Sequence, residues 1–145
     1  MKKKMLYVAA TALLASGVGY AVHAADMTEK FKATLSSADE VPANDSKGKG
    51  EGEFTINPST KELTWKVSYE GLTGDALAAH IHGPAEKGKN AGVEVNLGAG
   101  GMKNPLEGKA TLTDQQISDI TGGKTYVNVH TAAHKGGEIR GQIMK

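Results

Sequence analysis

The chain has no cysteine among its 145 residues. That absence excludes disulfides, thiolate metal sites, thiol nucleophiles and a lipid-modified N-terminal cysteine. A folded domain built from this sequence must therefore stand on its hydrophobic core and its hydrogen bonds. A surplus of positive charge is also missing, with 17 Lys+Arg against 16 Asp+Glu. The electrostatic footprint of a nucleic-acid binder is absent, and no nucleic-acid partner is expected. There is no internal repeat, no heptad and no long amphipathic helix. There is also no nucleophile elbow, phosphate loop or paired-carboxylate arrangement. Gly98-Ala99-Gly100-Gly101 is glycine-rich but has neither the dinucleotide fingerprint nor a βαβ context.

What is present begins with an address. Lys2, Lys3 and Lys4 precede an uncharged apolar stretch over residues 5–22, and Val22-His23-Ala24 offers small residues where a signal peptidase reads. Residues 1–24 are predicted to be a cleaved signal peptide, with cleavage after Ala25 as the alternative. Gly17, Gly19 and Ser16 weigh against a retained membrane anchor. Three lysines and no acid leave with the signal, so 14 basic and 16 acidic side chains remain. The mature domain, residues 25–145, is expected to be periplasmic or secreted, without membrane attachment after cleavage. About 120 residues suffice for one core.

The mature part is patterned as short alternating runs punctuated by Gly, Asn, Pro and Lys. Phe31, Ala33 and Leu35 alternate with polar residues, as do Phe54 and Ile56, and Leu63, Trp65, Val67 and Tyr69. Leu77, Ala79 and Ile81 alternate with Ala78, His80 and His82. Residues 93–97, 106–112, 126–131 and 138–143 read as further strands. Residues 113–120 alone read as a helix, with a capping box formed by Thr113 and Gln116 and a stop at Gly122-Gly123. Residues 46–52, rich in Lys, Gly and Glu, read as a mobile connection. The sequon Asn44-Asp45-Ser46 reads as a turn. About eight strands with frequent turns predict an all-β fold, an antiparallel Greek-key β-sandwich or barrel. Trp65, Phe54 and Tyr69 are expected in its core.

Four histidines remain after residue 24, in two short clusters. In His80-Ile81-His82 the strand period sends both imidazoles to one face and Ile81 to the other. Val127 and Val129 likewise face inward, leaving Tyr126, Asn128 and His130 outward, with His134 in the following loop. Same-face strand neighbours and adjacent strands are close enough for three imidazoles to reach one metal at about 2.0–2.1 Å. His80, His82 and His130 are therefore candidate ligands, and His134 a fourth or labile one. Glu138 and Arg140 are candidates for orienting a ligand imidazole, or for an ion pair on the strand involving Asp39 or Glu40.

Asp39-Glu40-Val41-Pro42, Ala79-His80-Ile81-His82-Gly83, Tyr126-Val127-Asn128-Val129-His130-Thr131 and Gly137-Glu138-Ile139-Arg140-Gly141-Gln142 occur in that order. Together they resemble the CHRD domain, named from the developmental antagonist chordin and also found in bacterial exported proteins. The resemblance spans roughly residues 31–143. The CHRD domain is in turn similar to the copper/zinc superoxide dismutase β-sandwich, an immunoglobulin-like architecture. That resemblance implies copper-ligand positions for His80, His82 and His130, with Arg140 near the metal. Two departures matter: there is no disulfide pair, and residues 83–92 contain no histidine to serve as a bridging or zinc ligand. A complete dismutase is not expected.

The reading is thus an exported domain that binds a transition metal through neutral imidazoles, for buffering or resistance, rather than an enzyme. All-nitrogen ligation and the divalent affinity order favour copper, while three histidines with an open position also suit zinc. The competing class is an interaction module whose partner is another exported protein; a dismutase-like enzyme is the third.

Overall fold

A computed structural model describes residues 27–145, so the predicted signal peptide lies outside the described residues. The alternating runs become eight strands: β1 (Glu29–Ser36), β2 (Lys49–Asn57), β3 (Glu62–Glu70), β4 (Ala76–His82), β5 (Val93–Asn96), β6 (Leu106–Thr111), β7 (Tyr126–Thr131) and β8 (Ile139–Gln142). All pairings are antiparallel, in the order β5-β4-β7-β8-β1-β2-β3-β6. The single sheet rolls into a nearly closed barrel, and the all-β prediction holds.

The inward parity is the one the alternation gives. Phe31, Leu35, Phe54, Ile56, Leu63, Val67, Ile81, Val127, Val129 and Ile139 are at most 1% exposed and form one core. Each large aliphatic or aromatic side chain so buried contributes about 1.5–3 kcal/mol of transfer free energy. Trp65 joins them, lying across β6 where its cross-strand partner is Gly108. A Cβ at Gly108 would stand 2.5 Å from the indole Cζ2, so only glycine admits the ring there. Tyr69 packs against the core while remaining partly exposed.

The helix α1 (Asp114–Thr121) forms where the capping box places it. Thr113 Oγ1 accepts from the Gln116 amide at 3.2 Å, and Gln116 Oε1 accepts from the Thr113 amide at 2.8 Å. Its Ile120 reaches the core, and the segment carries the chain from β6 on one edge back to β7.

Two local expectations are corrected. Leu77 was expected inside with Ala79 and Ile81, but it is 60% exposed. A register shift between Ala76 and Ala78 inserts one residue into β4, which breaks the parity before Ala79. Residues 46–52 are not a mobile connection. Lys49 already begins β2, and Gly50 and Gly52 pair with Leu35 and Ala33 of β1 and with Tyr69 and Val67 of β3. These inward glycines leave the space taken by the Ile139 side chain and the Phe54 ring.

Candidate metal centre

The face of β4 and β7 opposite the core is where the histidines gather. Ile81 is fully buried, and the pleat turns His80 and His82 outward. The register sets His80 opposite Asn128, His82 opposite Tyr126 and His130 opposite Ala78. His80 and His130 are therefore diagonal neighbours on adjacent strands, and His80 Nδ1 lies 3.0 Å from His130 Nε2. His82 closes the triangle: one ring nitrogen from each of the three histidines lies within 4.8 Å of the others. Two nitrogens held about 2.0–2.1 Å from one ion are at most about 4.2 Å apart. Small side-chain rotations bring the third ligand in.

The surrounding backbone decides which nitrogens face the ion. His82 Nδ1 is 2.9 Å from the Ala91 carbonyl, and His130 Nδ1 is 2.8 Å from the Lys135 carbonyl. A carbonyl only accepts, so each Nδ1 carries the proton and each Nε2 keeps its lone pair. His82 Nε2 is buried and makes no hydrogen bond within 3.5 Å, although the Asn128 side chain interacts with the ring, so its lone pair can serve as a ligand. Burial lowers the His80 pKa below the ordinary imidazole value, with His130 and His82 adding to the effect. Burial also lowers that of His82, against the hydrogen bond to Ala91. Both side chains are therefore held toward the neutral form a metal requires. The three residues fit a transition metal that prefers imidazole.

Of the remaining candidates, His134 does not join this cluster. Its backbone closes the turn between β7 and β8, exchanging hydrogen bonds with Thr131, and the Gly137 amide donates to its carbonyl. It lines a surface cleft with Glu40, Pro42, Asn44 and Lys135.

Glu138 is fully buried and serves a different part of the fold. Its carboxylate accepts from the hydroxyls of Ser46 (2.5 Å), Thr131 (2.5 Å) and Thr73 (2.8 Å) and from the Thr73 amide (2.8 Å). Burial pushes its pKa up, but these donors outweigh it and hold the carboxyl at about 2. Its carboxylate bonds run to the loops before β2 and β4 and to the end of β7, and none of them reaches an imidazole. The same loop uses the sequon: Asn44 Oδ1 accepts from the Ser46 amide, and Asn44 Nδ2 donates to the Glu138 carbonyl. That turn was expected.

Arg140 is 2% exposed beside the histidine face, opposite Asn128 in the register. Asp39 pairs with Lys87 at 3.3 Å rather than with Arg140. Glu40 is buried, which drives its pKa up to about 7 against the opposing charge of Arg140.

Sequence reasoning missed what residues 83–92 do. They hold no histidine, yet their backbone caps the site, with Ala91 bonded both to His82 and to the Tyr126 hydroxyl. Backbone carbonyls leave no mark in a sequence. Tyr126 was placed on the correct face but given no role; its ring stacks on His82 with centroids 4.9 Å apart.

Fold and cluster together define an all-β domain with three imidazoles arranged so that they could hold a metal ion. The CHRD domain profile matches residues 31–143, and the chain belongs to that family. No curated protein and no solved structure matched the chain. Among the described residues, no helix is long and apolar enough to cross a membrane.

Proposed function

We propose that this protein is an exported CHRD domain that binds one copper ion through His80, His82 and His130, and that it buffers copper or confers resistance to it in the periplasm or outside the cell. The observation that carries this reading is the direction of the ring protons. His82 and His130 both commit Nδ1 to a backbone carbonyl, so their Nε2 lone pairs are available on the side where His80 Nδ1 stands 3.0 Å from His130 Nε2. A separation of about 3 Å suits two ligands about 2.0–2.1 Å from a shared ion.

Copper is preferred because neutral nitrogen ligands follow the divalent affinity order, in which Cu(II) exceeds Zn(II). Zinc, with water in an open position, is the other metal the set accommodates. The export part of the proposal rests on Lys2–Lys4, the apolar run over residues 5–22 and the small-residue site at Ala24. Buffering is favoured over redox catalysis because the region corresponding to the dismutase's further ligands contributes carbonyls and no histidine.

The deciding experiment is metal analysis of the domain purified without a histidine tag from its native compartment, followed by copper titration. One equivalent of copper in wild type and none in the double replacement His80→Ala/His82→Ala is the expected outcome. Identical titrations for the two proteins would sink the metal reading and leave the interaction-module reading.

A further inference from the structure

Arg140 is a buried cation with no carboxylate within ion-pair distance among the described residues. Its guanidinium instead holds a strand-side ring and a covering segment at once. The Cζ atom stands 3.3 Å from the centroid of the Tyr126 ring. Nη1 donates to Asn90 Oδ1 at 2.8 Å, and Nη2 donates to the Lys89 carbonyl at 2.5 Å.

Those acceptors lie on the segment that touches His82. Ala91 follows directly: its carbonyl accepts from His82 Nδ1 at 2.9 Å, and its amide donates to the Tyr126 hydroxyl at 3.2 Å. Tyr126 lies between β4 and β8 in the sheet. The His82 ring from β4 stacks on it with an interplanar angle of 2°, while Arg140 reaches it from β8. Arg140 is thus linked to His82 indirectly by two routes, one through the Tyr126 ring and one through the segment.

The segment is tied elsewhere as well: the Gly83 amide donates to the Gly92 carbonyl at 3.1 Å, the Ala85 amide donates to the Lys124 carbonyl at 2.8 Å, and Lys87 and Glu86 pair with Asp39 and Lys124. Residues 86–90 are exposed, and Ala85 is its one buried side chain. Gln142 Nε2 donates to the Ala85 carbonyl, and Asn90 Nδ2 donates to the Val41 carbonyl. The bonds centred on Arg140 and Asn90 anchor residues 89–90 directly before Ala91, and the Gly83–Gly92 bond anchors the residue after it; together they hold the Ala91 carbonyl where it fixes the His82 tautomer.

We infer that Arg140 is a positioning residue of the histidine cluster: through Tyr126 and residues 89–91 it holds the His82 proton on Nδ1 and presents Nε2 to the metal. The inference rests on the metal-binding reading above. It assigns the affinity of that site to a guanidinium that never touches the ion. Arginine suits this role because its planar fork stacks on a ring while donating sideways to two acceptors; lysine offers neither. Groups that orient ligand imidazoles typically change metal affinity by about 10–100-fold when removed.

Three variants of the full mature chain test it. Asn90→Ala deletes the side chain that Arg140 Nη1 and the Val41 carbonyl share, at an exposed position. Tyr126→Phe keeps the stacked ring and removes only the bonds to Ala91. Arg140→Lys keeps the charge and loses the fork. Copper affinity is read by competition titration, and the His82 ring tautomer is read in metal-free protein by two-bond proton–nitrogen correlation spectra. Asn90→Ala and Tyr126→Phe should each weaken copper binding by about 10-fold, and Arg140→Lys by about 10–100-fold. Each should also move metal-free His82 from a single Nδ1-protonated form to a mixture. A His134→Ala control should match wild type in both measurements.

If the variants keep wild-type affinity and a single His82 tautomer, the inference is overturned although copper binds. If wild type binds no copper, the metal reading fails instead. The tautomer spectra then decide the positioning role without any metal.

Discussion

His80 Nδ1 and His130 Nε2 lie 3.0 Å apart although fifty residues separate them in the chain. Two bare nitrogen lone pairs at that distance repel. In metal-free protein one proton must therefore sit between them, and an ion that replaces it gains two ligands at once. The contact is both a hydrogen bond and half of a coordination sphere.

Copper should bind at one equivalent, and at free metal about 100 times the dissociation constant it should stabilise the native state by roughly 2.7 kcal/mol. His80→Ala, His82→Ala or His130→Ala should each abolish the thermal shift. His134→Ala should leave it unchanged, since that side chain lies outside the cluster. Binding should weaken only as pH falls below about 6.5, because burial lowers the pKa values of His80 and His82 and delays their protonation. Calorimetric titration with thermal melts at several pH values checks both statements.

Glu138 should make the stability of the fold fall in acid. Its folded pKa, about 2, lies below the ordinary 4.5. The native state therefore binds fewer protons than the unfolded chain between those values. The stabilisation is complete above pH 4.5 and is lost as pH falls toward 2. Glu138→Ala, which strands the hydroxyls of Ser46, Thr73 and Thr131, should cost ~3 kcal/mol at pH 7 in urea unfolding. The gap between wild type and variant should narrow at pH 3. A constant gap across that range would refute the assignment.

Glu94 should act in the opposite direction. Burial, then Asp119, raise its pKa to about 7 from 4.5. The native state holds a proton there that the unfolded chain has released, so stability falls as pH rises from 4.5 through 7. Glu94→Gln removes the charge while keeping the shape. It should raise the melting temperature by about 2–4 °C at pH 8 and leave it unchanged at pH 4. Melting curves of the two proteins at both pH values provide the check.

The mature protein should begin at Ala25, or one residue later, and fractionate as soluble. Intact-mass measurement on the exported protein reads this directly. An N-terminus at Met1 in the membrane fraction would make the domain a tethered one.

Much of this architecture could be read from side-chain alternation. Period-two runs such as Leu63, Trp65 and Val67 announce both a strand and its buried face, because the pleat ties parity to burial. The same rule placed Ile81 inside and His80, His82 and His130 outside. It failed at Leu77, where one inserted residue in β4 shifts parity without altering the composition. It failed also at Gly50 and Gly52, which fill inward positions with no side chain to register as hydrophobic.

The supporting parts of the candidate site were legible only in fragments. Arg140 was singled out, but its partners are a backbone carbonyl, an amide side chain and a ring. Glu138 was grouped with it by spacing along the strand. Two of the three hydroxyls that claim Glu138 come from Ser46 and Thr73, far away in sequence, and the nearby Thr131 alone did not distinguish it from a ligand-orienting carboxylate.

The strand order has a consequence for when the centre can come into being. β7 is wedged between β4 and β8, and β8 is the last of the eight described strands in chain order. A chain emerging N-terminus first offers His80 and His82 as an isolated pair until His130 follows 48 residues after His82. The third imidazole is not seated until the final strand has arrived to hold β7 in place. Distant pairings of this kind form late because they close long loops. Nascent chains should therefore pass through metal-rich surroundings without capturing an ion tightly, and loading becomes a mark of a sheet in which β8 has paired with β7.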